Sequence, residues 1–356
     1  MNQHHTVSII CPMYNEEAGI ENAISKLKEC IDDLPNPAEI LLINDGSTDR
    51  TISKAIHAIA GDRRFRILSH RVNFGRGRAL RTGFGEAKGE FIVTTEGDLS
   101  WGKDIIGRMV EALENNPGLD AVFASPHLPG GGYRNVPWHR VFLSSFGNRI
   151  LRFFYTRNVS MTTGMTRAYR AKLIQSHAFM QDGKEIHLEI SHRLLMLGSR
   201  IGEVPAILSW PDREPGRVGR GKRTNWAKIL KLISSHLAFG IFRGISNIIG
   251  PTIFLLTLAI VFFGTWAIVN LIDHQPSIYL VTLSGVLLIL WVTLILGYIL
   301  IYHSLQLQRE VWLTQSMLGN FLQAQGYTPY TRQYYEEVDI HTFLDNSVVS
   351  QQRLSR

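Results

Sequence analysis

The stretch EFIVTTEGDLS, residues 90–100, decides how this chain is interpreted. Its apolar run Phe91–Val93 predicts a buried strand, and the strand leads directly into Glu96 and Asp98, two acids separated by one glycine. In an extended chain, residues i and i+2 point to the same side. Two like charges then share a face, which costs free energy unless a cation lies between them. A solvated turn with incidental acids is the alternative, and the rest of the chain has to decide between the two.

Short apolar runs alternate with segments of helical length over residues 6–124, and this alternation predicts a parallel sheet covered by helices. Ligands of such sheets bind beyond the carboxyl ends of the strands, so the residues after each strand matter most. The predicted strands are Val7–Cys11, Ile40–Asn44, Phe65–Ser69, Glu90–Thr95 and Asp120–Ala124. The predicted helices are Glu16–Ile31, Thr48–Ile59, Gly75–Ala87 and Lys103–Asn115.

Three acidic, turn-rich loops follow the first, second and fourth predicted strands. They read CPMYNEE at 11–17, NDGSTD at 44–49 and EGD at 96–98. Unpaired carboxylates gathered at one edge of a sheet would repel one another, whereas a divalent metal would relieve the repulsion. Oxygen ligands favour Mg²⁺ or Mn²⁺.

A dinucleotide-binding domain is the obvious rival among strand–helix folds. Its glycine-rich fingerprint belongs in the first strand-to-helix turn, where this chain has Pro12, Tyr14 and Asn15 instead. Gly75 and Gly77 do form a Gly-x-Gly pair, but it comes too late in the chain and has the wrong spacing. No phosphate-binding loop that ends in Gly-Lys-Ser/Thr occurs, so both nucleotide-binding classes are rejected.

Charge and composition narrow the class of partner. The 356 residues include 37 Lys or Arg against 30 Asp or Glu, with a pI near 9.4, which indicates an anionic partner such as nucleic acid, a membrane surface or a phosphorylated substrate. Two cysteines without metal-type spacing favour a reducing compartment over a disulfide framework. The N-terminal residues lack the pattern of a signal peptide.

Two long uncharged runs predict a membrane anchor. Residues 248–272 and 278–302 each have about the length of a membrane-spanning helix, and two buried core helices are the alternative. Eight Lys or Arg and one acid lie between Arg213 and Arg243, whereas the turn between the runs has neither Lys nor Arg. The positive-inside rule then places both ends of the chain in the cytoplasm. We therefore expect an integral, multi-pass membrane protein with its N-terminal domain facing the cytoplasm.

Four regions follow from this pattern. Residues 1–225 are predicted to form a cytoplasmic α/β domain, 226–247 a juxtamembrane interfacial helix, 248–302 a transmembrane hairpin, and 303–356 a cytoplasmic amphipathic helix and tail.

Five sequence blocks, in order, resemble those of family 2 glycosyltransferases, and more narrowly the branch of dolichol-phosphate mannosyltransferases and polyprenyl-phosphate glycosyltransferases. The blocks are PMYNEE (12–17), NDGSTDRT (44–51), NFGRGRALRTGFGEAKGEFIVTTEGD (73–98), TGMTRAYR (163–170) and IGEVPAILSWPDREPGR (201–217). The resemblance implies a GT-A fold, which is a Rossmann-like α/β domain with a mostly parallel sheet, here followed by the two transmembrane helices. It identifies residues 1–225 as the catalytic domain, which would face the cytoplasm. It also implies a nucleotide-sugar donor, GDP-mannose or UDP-hexose in type, and a polyprenyl (undecaprenyl or dolichyl) phosphate acceptor.

Site residues are carried over from the family onto matching positions of this sequence. Glu96 and Asp98 would hold Mg²⁺ or Mn²⁺ against the donor diphosphate, with Asp98 counted as catalytic. Pro12, Tyr14 and Glu16 would contact the base and ribose, and Asp45 would read the nucleobase.

The acceptor side calls for arginines, because a lipid phosphate and a sugar diphosphate are both anions. Arg140 and Ser144 lie four residues apart on one predicted helical face, and Arg213 aligns with another phosphate-binding arginine of the family, with Arg217 nearby. Arg140 and Arg213 are predicted to be catalytic, and all four residues to bind the acceptor phosphate. Binding of lipid headgroups is the alternative for any one arginine. Arg167 fits a family block, and a salt bridge with Glu189 is its alternative.

Two departures from the family pattern keep other functions open. Glu96 stands where the family more often has Asp, and Ser100 stands where it has Gln. The leading interpretation is an inverting transferase for polyprenyl phosphate in a prokaryotic cell membrane, with the endoplasmic reticulum as the alternative location. The rivals are a transferase for another lipid such as diacylglycerol, and a catalytically inactive membrane scaffold. Nucleic acid is not an expected partner, whereas a homo-oligomer is a possible assembly.

Overall fold

The computed structural model describes residues 6–138, 159–210, 226–273, 277–325 and 335–340, together with the single residues 141 and 145. Within these ranges, side chains are not described for residues 226–248 and 323.

An eight-stranded sheet forms the centre of the N-terminal region, and a two-stranded sheet lies beside it. The strands are β1 Val7–Met13, β2 Ala38–Asn44, β3 Phe65–His70, β4 Phe91–Thr94, β5 Ala121–Ser125, β6 Gly132–Arg134, β7 Arg167–Arg170, β8 Ile201–Pro205, β9 Ile207–Ser209 and β10 Tyr335–Val338. The order in the large sheet is β10-β3-β2-β1-β4-β7-β5-β8, and β6 pairs with β9 in the small one. Strands β3, β2, β1 and β4 run parallel, whereas β7 and β10 are antiparallel to their neighbours.

The apolar strands build two cores because successive side chains point to opposite faces of the sheet. Ile9 and Ile40 belong to one core, whereas the next residues along, Ile10 and Leu41, belong to the other. All four are fully buried. Parallel strands covered on both faces are typical of α/β domains and explain the nearly continuous apolar runs in the sequence.

Helices cover both faces of the sheet. They are α1 Ile20–Asp32, α2 Thr51–Ile59, α3 Arg76–Glu86, α4 Ile105–Asn115, α5 Ala171–Gln175 and α6 Ile186–Met196. Side chains of α1, α2 and α4 pack into the first core, and those of α3, α5 and α6 into the second. The predicted α/β class and the strand–helix order of the first 124 residues are confirmed.

Two helices of 47 residues each follow, α7 Trp226–Ile272 and α8 Ile278–Ala324. The indole N–H of Trp291 in α8 donates a hydrogen bond to Thr257 Oγ1 in α7 over 2.8 Å. By length and composition, residues 249–272 and 278–322 are apolar enough to cross a membrane. Each helix is about 70 Å long, whereas a bilayer core is about 30 Å thick.

The helix α7 begins at the predicted boundary, residue 226, but it continues without a break through the next boundary at 247. The helix α8 likewise continues through the predicted boundary at 302. The division into an interfacial helix, a hairpin and an amphipathic C-terminal helix therefore stays a prediction.

The strand β10 was not predicted, because the tail after residue 327 is polar and carries no strand pattern. It pairs antiparallel with β3 at the edge of the large sheet, with Tyr335 opposite His70 and Val338 opposite Ile67. Its neighbour Ile340 is buried in the first core. The chain therefore returns from the long helices to complete the sheet.

Candidate active site

A cleft of about 1390 Å³ opens at the carboxyl ends of β1 and β4. Four predicted site residues line it, namely Pro12, Glu16, Glu96 and Asp98. The lining also includes Arg134 of β6, Ile207 and Ser209 of β9, and Trp210. The amide of Ser209 donates to the carbonyl of Ser100 over 2.7 Å, which joins the small sheet to the loop that carries the acids.

The loop after β4 aims its two carboxylates through Ser100. The Ser100 amide donates to Asp98 Oδ1 over 3.0 Å, and its hydroxyl donates to Glu96 Oε2 over 3.2 Å. Leu99 takes a left-handed backbone conformation with φ of 45° and buries its side chain, which turns the chain between the acid and the serine. Ser100, a departure from the family pattern, thus orients both acids.

Negative charge is concentrated in this part of the cleft. Burial raises the pKa of Glu96, Arg76 lowers it, and the Asp98 carboxylate raises it again. Burial and Asp98 likewise raise the pKa of Glu16, which Arg76 opposes. The Cys11 thiol beneath them has its pKa raised to about 12 by burial and by all three carboxylates. A cation bound here would offset this mutual repulsion.

The carboxylates of the cleft suit a divalent metal whose coordination other ligands complete. Within the described ranges, no three His, Cys, Asp or Glu side chains are grouped as a complete protein metal site. Mg²⁺, however, is usually held by one or two carboxylates, with water and substrate phosphates completing its coordination. Glu96 and Asp98 face one cleft with oriented, mutually repelling carboxylates. They fit a cation that shares its coordination with a bound diphosphate.

Asp45 lies away from the lining of the cleft and is buried. Its Oδ1 accepts hydrogen bonds from His70 Nδ1 over 2.8 Å and from the Phe74 amide over 3.0 Å, and its Oδ2 accepts one from the Gly75 amide over 2.8 Å. In the structure, this carboxylate therefore fixes the loop between β3 and α3. Its assignment to the nucleobase stays a prediction.

Tyr14 is 45% exposed and does not line the cleft, although its neighbours cross-link the first two acidic loops. The amide of Asn15 donates to Ser47 Oγ, and the amide of Thr48 donates to Asn15 Oδ1, each over 2.9 Å. The predicted convergence of these loops is therefore present. The contact of Tyr14 with base or ribose stays a prediction.

The four predicted acceptor residues Arg140, Ser144, Arg213 and Arg217 lie outside the described residues. Their roles stay predictions.

Arg167 is fully buried and donates to the carbonyl of Thr162 over 2.5 Å, and to the carbonyl of His187 and the hydroxyl of Ser191 over 3.0 Å each. Glu189 pairs with Arg193 over 2.9 Å rather than with Arg167. The salt bridge considered for Arg167 is thus wrong, and the arginine joins β7 to α6.

Sequence reasoning missed the basic residues of the cleft, which are Lys26, Arg76, Arg108 and Arg134. Arg76 carried a usable signal, because it lies at the start of a predicted helix that follows a predicted strand, which is the end of the helix nearest the ligand edge of the sheet. Lys26 belongs to the middle of α1, where nothing in the sequence separates a cleft residue from a solvated one. Its ammonium reaches the carbonyl of Asp98 over 3.2 Å.

The glycine pair Gly75 and Gly77 has a packing role. A Cβ at Gly75 would overlap the backbone of Asp182, and a Cβ at Gly77 would overlap the backbone of residues 181 and 182. Gly75 also has φ of +106°. The Gly77 amide donates to the Asp182 carbonyl over 2.7 Å. Close approach of two backbones therefore requires glycine here, and this fixes the start of α3 beside the cleft.

Comparisons with known proteins agree with the resemblance seen in the sequence. Residues 8–177 match the model of glycosyl transferase family 2. The chain is 29% identical to the undecaprenyl-phosphate mannosyltransferase of Micrococcus luteus, over 59% of this chain and 85% of that protein. It is 30% identical to the undecaprenyl-phosphate 4-deoxy-4-formamido-L-arabinose transferase of Aeromonas hydrophila, over 49% of this chain and 52% of that protein. The chain thus spans only about half the length of some curated relatives.

Among solved structures, the chain resembles glucosyl-3-phosphoglycerate synthase from Mycobacterium tuberculosis, solved in complex with Mn²⁺, UDP-glucose and phosphoglyceric acid. The TM-score is 0.51 at 21% identity, with 66% of this chain and 79% of that chain covered. At this identity the likeness shows the fold alone. The GT-A fold and the resemblance to family 2 glycosyltransferases are confirmed.

Proposed function

We propose that this chain, whose residues 8–177 match glycosyl transferase family 2, transfers one sugar from a nucleotide-sugar donor to a polyprenyl phosphate. The observation that carries the proposal is a cleft at the carboxyl ends of parallel strands, lined by Glu16, Glu96 and Asp98. The Asp98 carboxylate raises the pKa of both glutamates there. Relatives named for undecaprenyl-phosphate sugar transfer support the acceptor class.

On the donor side, the chain would bind a diphosphate next to Glu96 and Asp98. A divalent cation held by these carboxylates would neutralise charge that develops on the leaving nucleoside diphosphate. Ser100 keeps both carboxylates oriented before the donor arrives, so little reorganisation is needed.

On the acceptor side, an ionised lipid phosphate can attack the anomeric carbon without a strong base. Attack opposite the leaving group in one displacement inverts the configuration at that carbon. The chain then has to hold two anionic reactants together, for which Arg140, Ser144, Arg213 and Arg217 remain the proposed ligands. The cleft volume of about 1390 Å³ exceeds the roughly 300–1,000 Å³ of ordinary small-molecule pockets, which suits two substrates.

A lipid acceptor also suits the long helices. We propose that α7 and α8 cross the membrane and that both chain ends are cytoplasmic, because Lys and Arg cluster before the first apolar run and are missing from the turn. A cysteine placed at His274 should react with a membrane-impermeant maleimide added to intact cells, and one at Gln351 should not. The native cysteines are buried, so their background should be low. The reverse pattern would contradict this orientation.

The test of function is a transfer assay with the full chain in detergent. Nucleotide sugars would be screened with undecaprenyl phosphate, dolichyl phosphate and diacylglycerol, each with Mn²⁺, Mg²⁺ or EDTA. We expect metal-dependent product with a polyprenyl phosphate only, and none from Asp98→Asn. If product formed with diacylglycerol alone, the acceptor would be a neutral lipid and not a polyprenyl phosphate. If no combination of donor and acceptor gave product, an inactive scaffold would be favoured.

A further inference from the structure

Arg76 lies at the first turn of α3 and lines the cleft beside the acids. Its Nη1 is 3.8 Å from Glu96 Oε1, within ion-pair distance. The two side chains are 35% and 33% exposed, so the pair faces the cleft and is partly shielded from bulk water. The guanidinium therefore faces a carboxylate that is also assigned to a metal ion.

The other arginines of this helix face elsewhere. Arg78 and Arg81 both pair with Asp182, and Arg81 also donates to the carbonyl of Phe179 over 2.8 Å. Since Gly75 and Gly77 fix the start of α3 against the backbone of residues 181 and 182, the position of Arg76 is set by the fold.

A guanidinium and a divalent cation cannot share Glu96 without mutual repulsion, because like charges a few ångströms apart repel strongly in a partly buried cleft. A diphosphate bound in the same cleft would offset both positive charges. The nucleotide should then raise the affinity for metal, and by linkage the metal should raise the affinity for nucleotide.

We propose that Arg76 is a built-in counter-cation that competes with the divalent metal for Glu96, so that metal and nucleoside diphosphate bind cooperatively. Arg76 is thus a positioning residue that keeps the metal site weak until a diphosphate arrives. The competition rests on the Arg76–Glu96 contact and on the assignment of a metal to Glu96, whereas the cooperative part rests also on the proposed function.

The first experiment measures Mn²⁺ binding without nucleotide, using the electron paramagnetic resonance signal of free Mn²⁺ and the full chain in detergent. Arg76→Gln should bind Mn²⁺ about tenfold more tightly than wild type, since it removes a nearby positive charge. Arg76→Lys keeps the charge and should stay within about twofold of wild type.

Lys184→Gln is the matched control, because Lys184 also acts on Glu96 through its charge but makes no ion pair with it among the described residues. It should change the affinity by less than about twofold, since an exposed charge is well screened. Unchanged or weaker binding in Arg76→Gln would overturn the proposal. Equal tightening in both Gln variants would also overturn it, because a long-range field would then explain the effect.

The second experiment repeats the titration with UDP or GDP present. The nucleotide should strengthen Mn²⁺ binding by a larger factor in wild type than in Arg76→Gln, and equal factors would overturn the cooperative part. If neither nucleotide binds, the proposed function fails, while the comparison without nucleotide still decides whether Arg76 competes with the metal.

Discussion

Arg66 should stabilise the edge of the large sheet at which β10 pairs with β3, and replacing it should loosen that edge. Its guanidinium lies 2.7 Å from Glu337 of β10, 2.9 Å from Glu86 of α3 and 3.5 Å from Glu39 of β2. The exposed fractions are 16% for Arg66, 2% for Glu39, 9% for Glu86 and 52% for Glu337. Arg66 thus forms ion pairs with two buried carboxylates and one exposed carboxylate.

The burial sets the size of the effect. Removing one partner of a buried ion pair costs about 3–5 kcal/mol, because the other charge is left uncompensated. Glu39 keeps hydrogen bonds from the Ser8 hydroxyl and the Lys88 amide, so we expect the lower end, about 3 kcal/mol, for Arg66→Ala. The half-exposed Glu337 should contribute only about 0–1 kcal/mol, and Glu337→Gln is therefore the matched control.

Hydrogen exchange measured by mass spectrometry on peptides from β2, β3 and β10 can separate the two variants. A loss of about 3 kcal/mol corresponds to exchange faster by roughly 100-fold in Arg66→Ala, against about fivefold or less in Glu337→Gln. Similar acceleration in both variants would refute the reasoning, since the buried carboxylates would then not depend on Arg66.

Asp98→Asn should weaken Mn²⁺ binding by at least about tenfold, whereas Asp104→Asn, in the same cleft but paired with an arginine, should change it by less than about twofold. Equal effects in calorimetry would contradict the metal assignment. Asp45→Asn should destabilise the domain at pH 7 and progressively less below about pH 4. Burial raises the pKa of Asp45, but hydrogen bonds from a histidine and two backbone amides outweigh this effect, so the pKa in the folded chain is lower than the ordinary carboxyl value. The carboxylate therefore stabilises the fold above the ordinary carboxyl pKa, and this contribution is lost as the pH falls through the folded pKa. Denaturation midpoints across pH would test this, and a penalty independent of pH would argue against it. Burial raises the pKa of Cys11 and Cys30 to about 12, so both should resist iodoacetamide at pH 8 until the chain is unfolded, and labelling within minutes in the native state would be the contrary result.

The strands and helices near the N-terminus could be predicted closely because apolar runs and turn residues act locally. The predicted strand Val7–Cys11 is observed as Val7–Met13, and the predicted helix Lys103–Asn115 as Ile105–Asn115. The carboxyl-end rule also located Glu96 and Asp98 at the cleft, since parallel strands end at a common edge.

The roles of individual acids could not be predicted in the same way. Asp45 and Glu96 follow the two apolar strands that flank β1, in similar acidic loops. Asp45 is nevertheless buried among backbone amides, whereas Glu96 faces the cleft. The difference comes from His70 and Gly75, which the fold brings to Asp45 from distant positions in the sequence. Such long-range partners leave no local pattern.

The strand β10 was missed for a related reason. Its sequence, Tyr335–Val338, contains two glutamates and shows no run of apolar residues. Its place depends on partners supplied by the sheet edge, including Arg66 and Arg71. A strand whose partners all come from distant parts of the chain can be recognised only after the sheet is known.

The position of β10 also changes how the long helices relate to the α/β domain that contains the large sheet. The chain leaves the large sheet from β8 at one edge and re-enters it as β10 at the opposite edge. The helical hairpin is therefore an insertion within a domain, not an appendage at its end. With the hairpin in a bilayer, the chain would connect the membrane to both edge strands of the large sheet, β8 and β10.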